Sequence, residues 1–320
     1  MTTQTELQSL RQRLQQRIIG QPGLLDRLMI ALLTGGHVLL EGPPGLAKTR
    51  AVTTLAGAVH ASFQRIQFTP DLMPGDLTGS DIFDPEAHGF RFIEGPIFHE
   101  IILADEINRA PPKVQSALLE AMSEHQVTVG GVTRRLPGLF VVMATQNPLE
   151  QSGTYPLPEA QLDRFLLHAR IDYPSEEDEL KILQLDRRLH YGVDEQALDT
   201  PLQPETLLRA RREVAGMHVS EMLERHIVAI VTATRDPGRW LPGREDQLLC
   251  GASPRASIAL LRAASALAYL RGRDHVIPDD ILDIAPDVLR HRLVLDYPAR
   301  SANVSADDII AGLLAAIPVP

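Results

Sequence analysis

The chain has 320 residues, 44% hydrophobic and 22% charged, a balance that fits a folded globular protein and excludes a disordered one. Its 31 basic and 41 acidic residues leave a formal charge of −10, which argues against a protein built to coat nucleic acid. The single cysteine, Cys250, forms no internal disulfide, no apolar run approaches the ~18 residues that span a bilayer, and the polar N-terminus is unlike a signal peptide; a cytoplasmic protein of about two domains is expected.

Apolar residues at Leu7, Leu10, Leu14 and Ile18 recur at helical spacing and predict a first helix from Leu7 to Ile19. A second runs from Gln21 to Leu33, with Pro22 near its start and Gly35-Gly36 after its end. Short apolar runs then alternate with helical patterns. The strands are His37–Glu41, Phe63–Phe68, Ile101–Ala104, Leu139–Ala144 and Phe165–Ile171, and the helices are Ala47–Val59 and Lys113–Glu124. That alternation predicts a parallel sheet flanked by helices on both faces. Pro70–Pro96 and Val127–Leu136 break it and read as inserted hairpins, the second turning at Gly130-Gly131. A boundary is expected at Tyr173-Pro174-Ser175, with Ser175 capping a helix whose first turn is acidic. Beyond it, helices are expected at 176–190, 205–217, 221–235, 254–271 and 279–290. The division is therefore an α/β core over residues 1–174 and an all-α lid over 175–320.

The chemistry centres on Gly42-Pro43-Pro44-Gly45-Leu46-Ala47-Lys48-Thr49. It follows an apolar strand and opens a helix, the context of a phosphate-binding P-loop. The backbone N–H groups curl around phosphate oxygens and the helix N-terminus adds positive dipole. Lys48 is placed to reach the β- and γ-phosphates, and Thr49 to offer its hydroxyl to Mg²⁺. Asp105-Glu106 closes another apolar strand, at the edge where open α/β sheets bind ligands. Asp105 is a candidate Mg²⁺ ligand and Glu106 a candidate general base for water. Asn147, in Thr145-Gln146-Asn147-Pro148, would touch the γ-phosphate or its water if its strand lay between the other two; an ordinary Asn-Pro turn is the alternative.

Two arginines are candidates for phosphate charge. Arg164 precedes the last strand, and an arginine from a neighbouring subunit stabilises a transferring phosphoryl group; a local ion pair with Asp163 is the alternative. Arg255 stands in a first helical turn after Ser253-Pro254, against the helix dipole. A phosphate would compensate it, and simple exposure is the other reading. Arg134-Arg135 reads more simply as a solvated hairpin edge. The 11 histidines show no zinc-binding spacing, and no Gly-x-Ser-x-Gly elbow surrounds Ser152, Ser253 or Ser257.

In combination, GPPGLAKT, IILADEINRAPP, ALLEAM, ATQNPLEQSGTYPLPEAQLDRF and GASPRA resemble the MoxR family of AAA+ ATPases, in order and over nearly the whole chain. The Ala-Lys-Thr form of the P-loop is common in that family. The resemblance implies ATP and Mg²⁺ bound between core and lid, and ring assembly, often as hexamers. It implies that Arg164 completes the neighbour's site, that Asn147 is the first sensor and that Arg255 is the lid sensor. Ile19 and Gly20 lie in the segment that packs the adenine, Glu120 faces the adjoining subunit, and the two hairpins project where clients are handled. It further implies chaperone-like maturation of other proteins, with partners carrying a von Willebrand factor A domain. A chelatase-type ATPase, a DNA-acting ring ATPase and a nucleotide-gated binding module are the rival readings.

Overall fold

The computed structural model describes residues 2–46, 48–86, 88–148, 153–190 and 201–320. Ala47 and residues 149–152 of the sequence runs above thus lie outside the described residues.

Two helices open the chain, α1 (Thr3–Gln15) and α2 (Pro22–Thr34). The first begins earlier than its apolar periodicity predicts, because Thr2 caps it by accepting from Thr5 N. It ends before Gly20, whose φ of +75° belongs to a turn. The alternating region then gives β1 (Val38–Glu41), α3 (Lys48–Ala58), β2 (Phe63–Gln67), the short α4 (Pro74–Thr78) and the hairpin β3 (Gly79–Asp84) with β4 (Gly89–Glu94). Next come β5 (Ile101–Asp105), α5 (Pro112–Glu124), the hairpin β6 (Gln126–Val129) with β7 (Val132–Arg135), β8 (Val141–Gln146), α6 (Glu159–Leu162) and β9 (Leu167–Arg170). At the tip of β6–β7, Gly130 and Gly131 both take positive φ, as a two-residue hairpin turn demands.

Among the described residues β2, β5, β8, β1 and β9 form one parallel sheet in that order. The strand ending in Asn147 does lie between the P-loop strand and the Asp-Glu strand. Alternate residues face opposite layers. Val38, Leu40, Leu103, Val141 and Met143 pack with α2 and α3, whereas Leu39, Ile102, Ala104, Val142 and Ala144 pack with α5.

The rest is mainly helical: α7 (Glu176–His190), α8 (Pro204–Ala215), α9 (Glu221–Ala233), α10 (Pro254–Leu270), α11 (Pro278–Leu289), α12 (Tyr297–Ser301) and α13 (Ala306–Ala316). It also holds a two-stranded antiparallel ribbon, β10 (Leu248–Cys250) with β11 (Val294–Leu295), which the all-helical expectation lacked. Helix α13 was also unforeseen. Ser305 and Asp308 cap it reciprocally: Ser305 Oγ accepts from Asp308 N at 3.1 Å, and the Asp308 carboxylate accepts from Ser305 N at 2.8 Å. One apolar cluster runs from the α2 layer of the sheet into α8, α10 and α11.

His37, just before β1, is buried beside β8. Its Nε2 lies 3.2 Å from Met122 O and its Nδ1 accepts from Val142 N at 3.0 Å, an arrangement that needs the neutral ring. Burial pulls its pKa down to about 4, and burial likewise lowers that of His291. The unfolded chain therefore binds more protons than the folded one below the free-histidine value near 6.5. Stability is full above that pH and falls as the pH drops towards 4, by about 1.4 kcal/mol per unit for each such histidine. Urea unfolding at pH 7 and pH 5 should show the loss, and His37→Asn should flatten the slope; equal stability at both pH values would refute it.

Candidate active site

Strand β1 runs straight into Gly42, where a Cβ would come within 2.6 Å of Ile171 O, so the turn requires glycine. Gly45 takes φ +83°, and α3 begins at Lys48. The Lys48 ammonium donates to Gly42 O at 2.6 Å and Gln146 O at 3.3 Å, which holds it over the end of β1 and β8. Thr49 starts the same helix and points its hydroxyl at Asp105 Oδ2, 3.4 Å away.

Asp105 ends β5 with only 8% of its surface exposed. Thr145 donates to its Oδ1 at 2.5 Å, and Arg65 donates to its Oδ2 at 2.6 Å. The next residue, Glu106, adopts φ +58°, a left-handed conformation that a glutamate enters at a cost. That kink turns the side chain away from the strand axis. Its N–H donates to Thr145 Oγ1 at 2.9 Å, and its carboxylate accepts from Gln67 Nε2 at 2.7 Å and Arg109 Nη1 at 3.0 Å. Asn147 follows β8 at the same edge and is 7% exposed. Lys48, Thr49, Asp105, Glu106 and Asn147 thus gather at the C-terminal edge of the sheet. Arg65, Gln67, Arg109 and Thr145 were missed as their supports. Only Thr145 left a signal, a hydroxyl two residues before Asn147.

No group of three or more His, Cys, Asp or Glu side chains suited to a metal occurs among the described residues. One hydroxyl and one carboxylate, Thr49 and Asp105, converge instead. That sparse oxygen set suits Mg²⁺, which keeps water and takes further oxygens from phosphates. The Arg65 side chain on Asp105 is half exposed.

Beside the P-loop lies an apolar cavity lined by Ile18, Ile19, Leu46, Pro174, Ile182 and Leu185. Gly20 stands between two lining residues, Ile19 and Gln21. A Cβ there would meet Pro174 Cβ at 3.0 Å, and Gln21 Nε2 donates to Asp172 O at 2.8 Å. The turn after α1 is thus stitched to the approach to α7. Its apolar walls suit a flat heteroaromatic ring next to the phosphate cradle. Ile182 and Leu185, from α7, were not foreseen; they lie some 160 residues along the chain from Ile19.

The two arginines stand elsewhere. Leu167 of β9 pairs with Val38 at the start of β1, so Arg164, three residues earlier, lies at the N-terminal sheet edge. The edges are about 10 Å apart along β1 alone, at ~3.3 Å per residue. Arg164 is exposed and its Nη1 donates to Leu119 O at 2.5 Å and Ser123 Oγ at 2.7 Å, both on α5. The alternative reading, an ion pair with Asp163, is not what it makes. Asp163 instead accepts from Arg292 Nε at 2.7 Å and Ser253 Oγ at 3.3 Å, with Arg255 Nη1 3.6 Å away. Arg255 is therefore compensated within its own chain, by Asp163, and its side chain remains 69% exposed. Ser253 caps α10 by accepting from Arg255 N at 3.3 Å, as its sequence predicts. Glu120 is exposed on α5, the helix that holds Arg164.

Comparison with known proteins agrees with the class that this fold and P-loop define, an AAA-type ATPase core followed by a lid. The profile of the ATPase family associated with various cellular activities matches residues 37–167, and that of the AAA lid domain matches residues 244–313. The chain is 46% identical to Chaperone MoxR1 of Mycobacterium tuberculosis over 95% of its own length and 79% of that protein's. It is 33% identical to Protein MoxR of Paracoccus denitrificans, over 95% and 93% of the two chains. A crystal structure of a candidate ATPase from Cytophaga hutchinsonii superposes with a TM-score of 0.89 at 42% identity, covering 99% of this chain and 97% of that one. The chain belongs to the MoxR family of AAA+ ATPases. No helix among the described residues is long and apolar enough to cross a membrane.

Proposed function

We propose that the chain hydrolyses ATP at a site shared between two subunits of a ring, and uses the cycle for chaperone-like maturation or assembly of other proteins. The observation that carries this reading is the split of the candidate residues between opposite sheet edges. Lys48, Glu106 and Asn147 sit at one, and Arg164 and Arg255 at the other, both exposed. Arginines so placed reach a nucleotide only on the next copy of the chain.

In this reading, the cavity at Ile19 and Gly20 takes the adenine. The segment from Gly42, Pro43, Pro44, Gly45, Leu46 and Ala47 to Lys48 and Thr49 wraps the phosphates. Thr49 and Asp105 hold Mg²⁺, which neutralises phosphate charge when bound. Glu106 accepts a proton from the attacking water, its carboxylate steered by Gln67 and Arg109. Asn147 orients that water, and the neighbour's Arg164 and Arg255 stabilise charge on the γ-phosphate. Residues 1–174 act as the nucleotide-binding unit and 175–320 as the lid.

The hairpins β3–β4 and β6–β7 project from the core. Phe83 and Phe90 are more than half exposed and Ile82 nearly so on the first, and Arg134 ties the second to it by stacking 3.7 Å over Phe92. They are the surfaces offered to a client or to a partner with a von Willebrand factor A domain. A homo-hexamer in the cytoplasm is the working assembly; the exposed, unpaired thiol of Cys250 suits a reducing compartment.

ATP hydrolysis per subunit, measured with Mg²⁺ over a range of protein concentrations, tests the shared site. The specific rate should rise steeply as the chain assembles. A measurable rate that stays constant at dilutions where the chain is monomeric would refute it, and nucleotide binding without turnover would favour a nucleotide-gated module.

A further inference from the structure

The described residues hold a second concentration of positive charge, unconnected with the P-loop. Arg211 on α8 stands where two grooves of about 770 and 570 Å³ meet, and both are lined by Thr34, Arg211 and Arg262. The smaller groove adds Arg135 and His125, with Glu124 as its one carboxylate; the larger adds His218 and Glu224. Arg211 Nε donates to Leu32 O at 2.7 Å and its Nη1 to Gly138 O at 3.1 Å. These bonds fix the plane of the guanidinium. Its Nη2 is buried and has no partner. Among the described residues no carboxylate forms an ion pair with Arg211, Arg135 or Arg262.

This arrangement costs stability unless something balances it. Burial without a counter-charge draws the Arg211 guanidinium down to about 10. Native proteins pair such groups with an acid or a bound anion. In the smaller groove three guanidinium groups stand beside one carboxylate, and the half-buried Arg211 lacks a counter-charge, an excess that an anion of two or more charges would balance. Their planar forks match the oxygens of a tetrahedral oxyanion, and an open groove admits a small solute. The location is also distinct from the nucleotide edge. Gly35 leads into β1 and Gly138 into β8, so the grooves lie at the N-terminal edge of the sheet. Arg262 follows Arg255 by seven residues on α10, which puts the two on one helix face about 10 Å apart.

We propose that Arg135, Arg211 and Arg262 form a second anion site, specific for a small phosphate-type oxyanion carrying two or more charges. The bound anion would cross-brace α8, α10 and the base of the β6–β7 hairpin.

The probe is inorganic pyrophosphate, titrated calorimetrically at low salt into the full chain carrying Lys48→Ala, which removes the P-loop anchor. One pyrophosphate should bind per chain and raise its melting temperature, as a ligand of the folded state must. Adding Arg135→Gln with Arg262→Gln, both at exposed positions, should weaken binding at least tenfold and abolish the thermal shift. Arg211→Lys should weaken binding as well, since a single ammonium nitrogen lacks the planar fork whose separate nitrogens bond the two carbonyls. Arg225→Gln, at an exposed guanidinium paired with Glu221 on α9, should change nothing. No saturable binding, binding indifferent to the double substitution, or equal loss with Arg225→Gln would overturn the proposal. None of these outcomes depends on ATP turnover, so the site and the shared-ATPase reading stand or fall separately.

Discussion

Mixing Arg164→Ala chains with Lys48→Ala chains should restore ATP hydrolysis that neither variant performs alone. Lys48→Ala removes the ammonium held over the end of β1, and with it phosphate binding in that chain's own cradle. Arg164→Ala leaves the cradle intact, because Arg164 lies at the far edge of the sheet and bonds only α5 there. Where an Arg164→Ala chain presents its cradle to the Arg164 of a Lys48→Ala chain, every group is present. In an equimolar random mixture about a quarter of interfaces are of that kind, so recovery to roughly a quarter of the native rate is expected if interfaces act independently. Each variant alone should lose about 10³-fold or more, the scale of a removed arginine finger. A mixture no faster than the sum of its parts would show that Arg164 does not serve a neighbour.

Glu106→Gln should bind ATP with native affinity and hydrolyse it 10²- to 10⁴-fold more slowly, about the contribution of a positioned general base. Glutamine is isosteric, and its carbonyl oxygen still accepts from Gln67 and Arg109. The left-handed backbone at φ +58° is set by the Thr145 contact to the main-chain N–H and is untouched. Only the capacity to take a proton is lost. Equilibrium binding of a fluorescent ATP analogue and single-turnover hydrolysis separate the two effects. Normal turnover would remove Glu106 from the chemistry; lost binding would place it in the phosphate cradle.

Much of the nucleotide edge was legible because its chemistry is local. A strand, a Gly/Pro turn and Lys48-Thr49 occupy one short window, and two acids ending an all-apolar run announce a sheet edge. Even the conditional reading of Asn147 needed only the strand order. What could not be read was whatever depends on distant segments meeting. Arg65 reaches Asp105 from the neighbouring strand, and the apolar cavity joins Ile19 to Leu185. Arg164 and Arg255 were singled out as cations, yet their common position follows only from the parallel register of β9 against β1 and from Asp163. The β10–β11 ribbon is too short to carry a period of two. Helix α13 did leave a signal, Ser305 three residues before Asp308.

The Asp163 contacts have a mechanical consequence. The Arg292 side chain is 3% exposed; its Nη2 donates to Phe165 O at 2.7 Å while its Nε holds Asp163. Farther along β9, Asp307 of α13 accepts from Arg170 at 2.7 Å and from Arg290 at 3.0 Å. The helical half is thereby clamped along the length of the outermost strand, and little play remains at that seam. By contrast α7, which walls the apolar cavity beside the P-loop, leaves Leu180 and Leu183 more than half exposed, and none of its described side chains is fully buried. If the chain assembles as proposed, each copy would act as a tooth stiff along that seam, with its give confined to α7 beside the P-loop.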